Sequence, residues 1–471
     1  MPRVAAIVLA AGAGSRFGGG KLRARIDGRP VLQHVLDQLA EAGIEDVVVV
    51  LGADAEDIED TIEWRAERRV RNPDPARGLS TSLRIGVDAL AANVDRALIV
   101  LGDQPMIPAQ ALRSVATAQL DDARPIVVPV YSNDRGRNPV GVERTAFPLV
   151  AEARGDRGLA PVIAAHRGLV REIHLDGQMS NPDVDTRADL IALLETAWAA
   201  RVRANADQVD RHREVPDGAD FYAPVTSLFR ADPTRTDEPV LAALLDLVRP
   251  GETWLDIGAG AGRYALPIAR SLAPSGGAVV AIDPSDGMLS SLREVAAEHA
   301  IENVRIIRGR WPAVSEAQAE RLVGDVALIA HVGYDIEAIG PFVAAMERAA
   351  RRLCLAVLME RQPASVADPC WPPVWGEDRV PLPAFPEFVE LLEAMGRDPS
   401  ILRLEREPRR FTSRDELEGF LRRQLWTEKG SEADRRFLSS LDRLIEVDAE
   451  GRVGLAGQRP LPIGVISWSP P

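Results

Sequence analysis

The chain has 471 residues, too many for one hydrophobic core; at roughly 150 residues per domain it holds two or three. Its 70 Asp and Glu against 56 Lys and Arg leave a formal charge of −14, which argues against the basic face that nucleic acid requires. Two cysteines, Cys354 and Cys370, neither in a CxxC, exclude a zinc or disulfide framework. No apolar run reaches the roughly 18–20 residues of a membrane helix, so a cytoplasmic protein with no membrane partner is expected.

In chain order, the opening run "VAAIVLAA" is followed at once by glycines, an arginine and a lysine, so it reads as a first buried strand rather than a signal peptide. Further β-branched, apolar runs stand at Glu45–Gly52, Arg96–Asp103 and Pro125–Tyr131. Between them lie helix-period segments such as Pro30–Gly43, which begins with proline and closes with glycine. Strands alternating with helices predict an α/β domain with a largely parallel sheet over residues 1–197. Ala199–Asp220 is polar and ends in a Pro-Asp-Gly turn, so it reads as a helix end followed by a linker, placed at 198–220. The pattern then restarts. "ETWLDIGAG", "GAVVAIDPS", "NVRIIRGR", "GDVALIAHV" and "LCLAVLMER" predict a second α/β domain over 221–471, with a mixed region from about Pro372 and a closing run "PIGVISWSPP". The fold class expected is α/β, with two Rossmann-like three-layer domains.

Two glycine-rich stretches carry the chemistry. The first, "AAGAGSRFGGGK" (Ala10–Lys21), follows a strand, where glycines let backbone N–H groups approach anionic oxygens. It is not a P-loop, because Leu22 follows Gly20-Lys21 and Ser15 takes the leading position. Nor is it a dinucleotide fingerprint, because Phe17 stands where the last glycine of GxGxxG belongs. The second, "DIGAGAG" (Asp256–Gly262), is followed about 20 residues on by Asp283 at the end of the next apolar run.

The run Leu9, Ala10, Ala11, Gly12, Arg16, Gly18 and Lys21 resembles the signature of the molybdenum-cofactor nucleotidyltransferase (MobA-like) family. Further segments match in order: Asn72–Gly86, Val100–Pro105, Arg135–Val142 (a substrate-side loop) and "NPDVDTRADL" at Asn181–Leu190. The resemblance implies magnesium-dependent transfer of a nucleoside monophosphate to a phosphate acceptor, with release of pyrophosphate. Such chemistry needs cations and oriented N–H groups more than a covalent nucleophile. It assigns nucleotide contacts to Leu9, Ala10, Ala11, Gly12, Gly14, Lys21, Gly78 and Ser82. Catalysis falls to Arg16, Lys21 and Asp103, and the metal (Mg2+) to Asp103 and Asp185. Asp103 and Asp185 also have a plainer reading as helix caps. Ala10-Ala11-Gly12 and Asp103-Gln104-Pro105 are similar to the cytidylyltransferase members, which implies CTP, the molybdopterin cofactor as acceptor, and a molybdoenzyme or its chaperone as partner. One departure is Asn138, where those members carry histidine before proline; it leaves a sugar phosphate or another phosphorylated small molecule open as acceptor.

Trp254–Ala269 with Asp283 resembles the class I S-adenosylmethionine-dependent methyltransferases, and the closing run is similar to that fold's last antiparallel strand. The resemblance implies S-adenosylmethionine at Asp256, Gly258, Gly260, Gly262 and Asp283. His331 and Tyr334 either orient a methyl acceptor or pack at a strand end. Trp371, Trp375 and Trp426 form either an apolar lid or core. The whole-chain expectation is a bifunctional enzyme; the alternative is one catalytic domain with a ligand-binding regulatory one.

Overall fold

A computed structural model of the protein describes residues 2–131, 137–175, 181–216, 226, 229–314 and 322–471. Residues 135–136 of the expected substrate-side loop and 217–220 of the expected linker lie outside them. The chain divides into two units, Met1–Ala192 and Leu193–Pro471.

In the first unit the strands are β1 (Val4–Ala10), a small hairpin of β2 (Arg25–Ile26) and β3 (Arg29–Pro30), β4 (Val47–Leu51), β5 (Arg68–Arg71), β6 (Arg96–Leu101), β7 (Ile126–Val130), β8 (Val140–Glu143) and β9 (Val170–His174). Seven form one sheet in the order β5-β4-β1-β6-β8-β7-β9, with β8 antiparallel to both of its neighbours. Helices such as Val31–Glu41, Leu79–Asp88 and Ala109–Thr117 connect these strands. The central strands are apolar without alternation because both faces are covered: all five residues of β4 are buried. Each fully buried Val or Leu side chain contributes about 1.5–3 kcal/mol.

The second unit has β10 (Thr253–Ile257), β11 (Ala278–Asp283), β12 (Val304–Arg308), β13 (Gly324–Ala330), β14 (Ala350–Met359), β15 (Ser400–Arg406), a ribbon of β16 (Ile445–Val447) and β17 (Val453–Leu455), and β18 (Leu461–Trp468). The sheet order is β12-β11-β10-β13-β14-β18-β15, parallel except for β18. The closing run is thus an antiparallel strand, inserted between β14 and β15. Both units are the α/β folds expected.

Register puts each glycine stretch at the same place in its sheet. Leu9 pairs with Leu101 and Ala10 with Leu51, so β1, β4 and β6 end together. Ile257 pairs with both Ile282 and Ile329. In each sheet the strand order reverses at this central strand, and an open α/β sheet presents ligands at the carboxyl ends there.

Three differences from the sequence reading have physical causes. The helix Arg187–His212 continues through the first fifteen residues of the expected linker. Its polar residues have partners within the second unit: Gln208 Nε2 donates to the Asp378 carbonyl, and its Oε1 accepts from the Val380 N–H, each at 2.8 Å. Val140–Val142, expected in a loop, belong to β8. The lid reading of the tryptophans gives way to core: Trp371 is fully buried, and Trp375 and Trp426 pack against the same cluster, with Phe411, Phe437 and Leu421.

Candidate functional site

In the first unit, β1 delivers Leu9, Ala10 and Ala11 buried, and the chain surfaces at Gly12. A Cβ at Gly12 would meet nothing within 4 Å, so the backbone there is open to a ligand. The loop folds around one carbonyl: the N–H groups of Phe17, Gly18 and Gly19 all donate to Gly14 O at 3.0–3.1 Å. Gly18, Gly19 and Gly20 have φ of +92°, +91° and +69°, a succession that side chains disfavour. Phe17, which breaks the dinucleotide fingerprint, is buried beneath the loop, and Arg187 stacks over its ring.

That loop aims Lys21 inward. Its Nζ donates to Asp103 Oδ2 and, at 3.1 Å, to Asp185 Oδ1, residues 82 and 164 positions away. Arg16, largely exposed, reaches Asp185 Oδ2 at 3.4 Å. Burial works against the Lys21 charge, but the two carboxylates outweigh it and hold the ammonium above its ordinary pKa.

The carboxylates are themselves positioned. Val184 N–H donates to the Asp103 carbonyl at 2.9 Å. Gln104 Nε2 donates to Asp183 Oδ1 at 2.7 Å and its Oε1 accepts from Asn181 at 3.0 Å. Burial, with Asp103 and Asp185 nearby, pushes the Asp183 carboxyl above its ordinary pKa. The cap of the following helix is not Asp185 but Thr186, whose Oγ1 accepts from the Asp189 N–H at 3.2 Å; Asp189 Oδ2 in turn accepts from the N–H groups of Asp185 and Thr186 and from the Thr186 hydroxyl. Asp183 and Asp189 were not singled out from sequence. Their signal was in the D-x-D-T-x-x-D spacing, whose first and last acids hold the turn that presents the middle one.

Gly78 and Ser82 are engaged within the fold. A Cβ on Gly78 would fall 2.5 Å from the Gly155 backbone. Ser82 is buried, and its hydroxyl accepts from Asn72 Nδ2 at 2.9 Å. Both fix the shape of the 72–86 segment, and Ser82 offers no exposed contact. Among the described residues no three His, Cys, Asp or Glu side chains are grouped to hold a metal. Two carboxylates that reach one ammonium match what Mg2+ asks of a protein, one or two hard oxygen ligands with water completing the shell.

In the second unit, the turn is built by acids instead. Asp256 is buried within β10, and burial, with the Asp283 charge nearby, pushes its carboxyl up to about 7. Asp283, at the end of β11, accepts from Gly260 N–H at 2.9 Å and from Ser285 N–H at 2.8 Å. A Cβ at Gly258, where φ is +79°, would meet Val332 Cγ2 at 2.4 Å. The turn's backbone is thus pinned between two strand ends. Of the two residues weighed for the acceptor, Tyr334 is committed to the fold: its hydroxyl accepts from the Met359 N–H at 2.8 Å.

A cation-bearing glycine loop with paired carboxylates fits the charge neutralisation that phosphoryl-group transfer needs. A glycine turn tied to the acid of the next strand marks the ligand end of an open α/β sheet. The chain carries both: residues 6–170 match the family model of the MobA-like NTP transferase domain, and residues 255–352 match that of a methyltransferase domain. The Bifunctional protein GlmU of Desulfitobacterium hafniense (strain DSM 10664 / DCB-2) is 30% identical over 158 residues, 33% of this chain and 34% of that protein. The chain therefore spans about a third of the length of that relative. Nicotine blue oxidoreductase of Paenarthrobacter nicotinovorans is 28% identical over 208 residues, 41% of this chain and 98% of that protein. Among solved structures, Rv0371c from Mycobacterium tuberculosis H37Rv is 30% identical, covering 41% of this chain and 98% of its own, with a TM-score of 0.38.

Proposed function

We propose that the N-terminal domain transfers a nucleoside monophosphate from CTP to a molybdopterin-type phosphate acceptor, releasing pyrophosphate, and that the C-terminal domain transfers a methyl group from S-adenosylmethionine to a small molecule. The observation that carries the first half is Lys21, held between Asp103 and Asp185 under an open glycine backbone. In this reading the N–H groups of Gly12–Gly14 orient the triphosphate, and Arg16 and Lys21 neutralise charge building on the leaving pyrophosphate. Asp103 and Asp185 would hold Mg2+, which supplies further charge neutralisation when bound. Pure nucleotide binding has no need of the two carboxylates.

The test is to supply the full-length protein with Mg2+, each NTP in turn and molybdopterin cofactor, and to follow pyrophosphate. CTP-dependent release is expected; release with GTP alone, or release with none of the NTPs even when the cofactor is present, overturns the assignment. A second acceptor class, a sugar phosphate or other phosphorylated small molecule, is favoured by Asn138 before Pro139. Release with CTP that requires such a phosphate instead of molybdopterin would select it.

For the C-terminal half, the Gly260–Asp283 contact supports the cofactor reading: it places an acid, nearly buried, at the strand end where ribose hydroxyls would be received. Calorimetry with S-adenosylmethionine should show binding to the full-length protein.

A further inference from the structure

The carboxyl edge of the second sheet carries more than the glycine turn. β18 runs antiparallel to both β14 and β15, so β15 is parallel to β14 and ends at the same edge. Arg406 is its last residue. His331 follows β13 directly, has a φ of +59°, and donates its backbone N–H to the Val357 carbonyl at 2.8 Å. Its Nδ1 is sealed from solvent without a hydrogen-bond partner. The next residue, Val332, is the one that closes on Gly258, so His331 borders the turn that would hold the cofactor.

Two arginines at this edge have no carboxylate partner among the described residues. Arg406 Nη1 donates to the Met359 sulfur at 3.6 Å, a weak acceptor, and no carboxylate among the described residues lies within ion-pair distance of it. Arg409 stacks on Phe411 and Phe420, its guanidinium carbon 5.2 and 4.9 Å from the ring centroids, again with no carboxylate at ion-pair distance. The very next residue behaves differently: Arg410 is tied to Glu446 at 2.6 Å. Arg263, from the glycine turn, is answered by Glu238 at 2.9 Å. The charges of Arg406 and Arg263 act on both Arg409 and His331; after burial they are what holds those two groups below their ordinary pKa values, with Glu416 and Glu238 opposing. Arg406 is exposed and Arg409 half-buried, so an arriving anion can reach both, and a guanidinium held over aromatic rings can still offer its N–H groups for bidentate pairing.

We propose that Arg406 and Arg409 anchor the methyl acceptor of this domain, and that the acceptor is an anionic small molecule whose carboxylate or phosphate group they bind beside His331. This rests on the methyltransferase reading of the domain.

The experiment is calorimetry on the full-length protein saturated with S-adenosylhomocysteine, titrated with citrate and with inorganic phosphate. The same titrations are run on an Arg406→Gln/Arg409→Gln variant and on Arg443→Gln, an exposed arginine elsewhere in the unit that controls for loss of a surface arginine. Saturable binding of either anion, weakened roughly tenfold or more in the double variant only, is expected. Binding of citrate alone points to a carboxylate acceptor and of phosphate alone to a phosphorylated one; both support the proposal. Phosphate taken up at the Lys21 loop is common to all three proteins and cancels. Anion binding that is absent, or equal in the double variant, or weakened as much by Arg443→Gln, overturns the proposal while S-adenosylhomocysteine binding leaves the methyltransferase reading standing. Loss of S-adenosylhomocysteine affinity in the double variant, with unchanged thermal unfolding, overturns it too, because the arginines would then serve the cofactor. Failure of the unmodified protein to bind S-adenosylhomocysteine overturns both.

Discussion

The two glycine turns leave their sheets at the same place and are opposite in charge. The first carries cations in the loop, Arg16 and Lys21, and receives one carboxylate from beyond the end of β6 and one from the turn before the helix Arg187–His212. The second has no cation between Asp256 and Gly262; acids before and after it are nearly buried, and one of them accepts a glycine N–H. Glycine spacing says that something approaches the backbone closely. The charge around the turn separates the two, and the proposed function reads it as phosphates and a metal at the first and hydroxyl groups at the second.

The sharpest way to break this contrast is Lys21→Ala. It should cut NTP-dependent pyrophosphate release by about 10²–10³-fold, the usual scale for losing a charge-stabilising donor, and leave S-adenosylmethionine binding unchanged in calorimetry. Retained release would detach the loop from the chemistry. A second comparison sets Gly258→Ala against Gly12→Ala. The first forces a Cβ to within 2.4 Å of Val332 at a φ of +79° and should cost about 2–4 kcal/mol in urea denaturation. The second enters open space and should stay within about 0.5 kcal/mol. Equal costs would mean that the two turns are not built differently.

Asp283→Ala should weaken S-adenosylmethionine by roughly tenfold in calorimetry, with pyrophosphate release unaffected. Unaltered affinity would leave the acid a purely structural cap on Gly260.

The smallest net effect is expected from pH, because two groups of the second unit, Asp256 and His331, oppose each other. The folded-state value of Asp256 is raised to about 7 from 3.8, so between those values the folded state keeps a proton that the unfolded chain has lost. That contribution to stability falls as pH rises through the window and levels off above it. His331 is lowered to about 3 from 6.5, so there the unfolded chain holds the extra proton and stability rises with pH. Urea midpoints of Asp256→Asn should therefore climb between about pH 4 and 6.5, and those of His331→Gln should fall. A flat profile in both variants would remove these groups from the balance.

Legibility followed burial. The central strands of both sheets read directly as apolar runs. In the two seven-stranded sheets four strands went unread, and three of them are edges, β5 "RRVR", β9 "VREIH" and β15 "SILRLER". Their charged, half-exposed residues blunt an open edge and erase the apolar signal. The fourth, β8, is four residues long and was hidden in an expected loop. The helix of 187–212 was cut short for a related reason: Asn205 and Gln208 read as solvent-facing, yet both are buried against backbone partners.

By itself the sequence determined the two α/β domains, the positions of both glycine turns, the acids Asp103, Asp185, Asp256 and Asp283, and the failure of the stock phosphate templates at Leu22 and Phe17. These are local properties, set by periodicity and by which backbone conformations each residue tolerates. Only the tertiary structure decided that one ammonium joins Asp103 to Asp185, that Thr186 with Asp189, and not Asp185, caps the helix, and that Arg406 and Arg409 stand without a carboxylate partner among the described residues at the edge where His331 follows its strand. Charge pairing depends on which strands lie side by side, and the order of a sheet is written in contacts far apart along the chain.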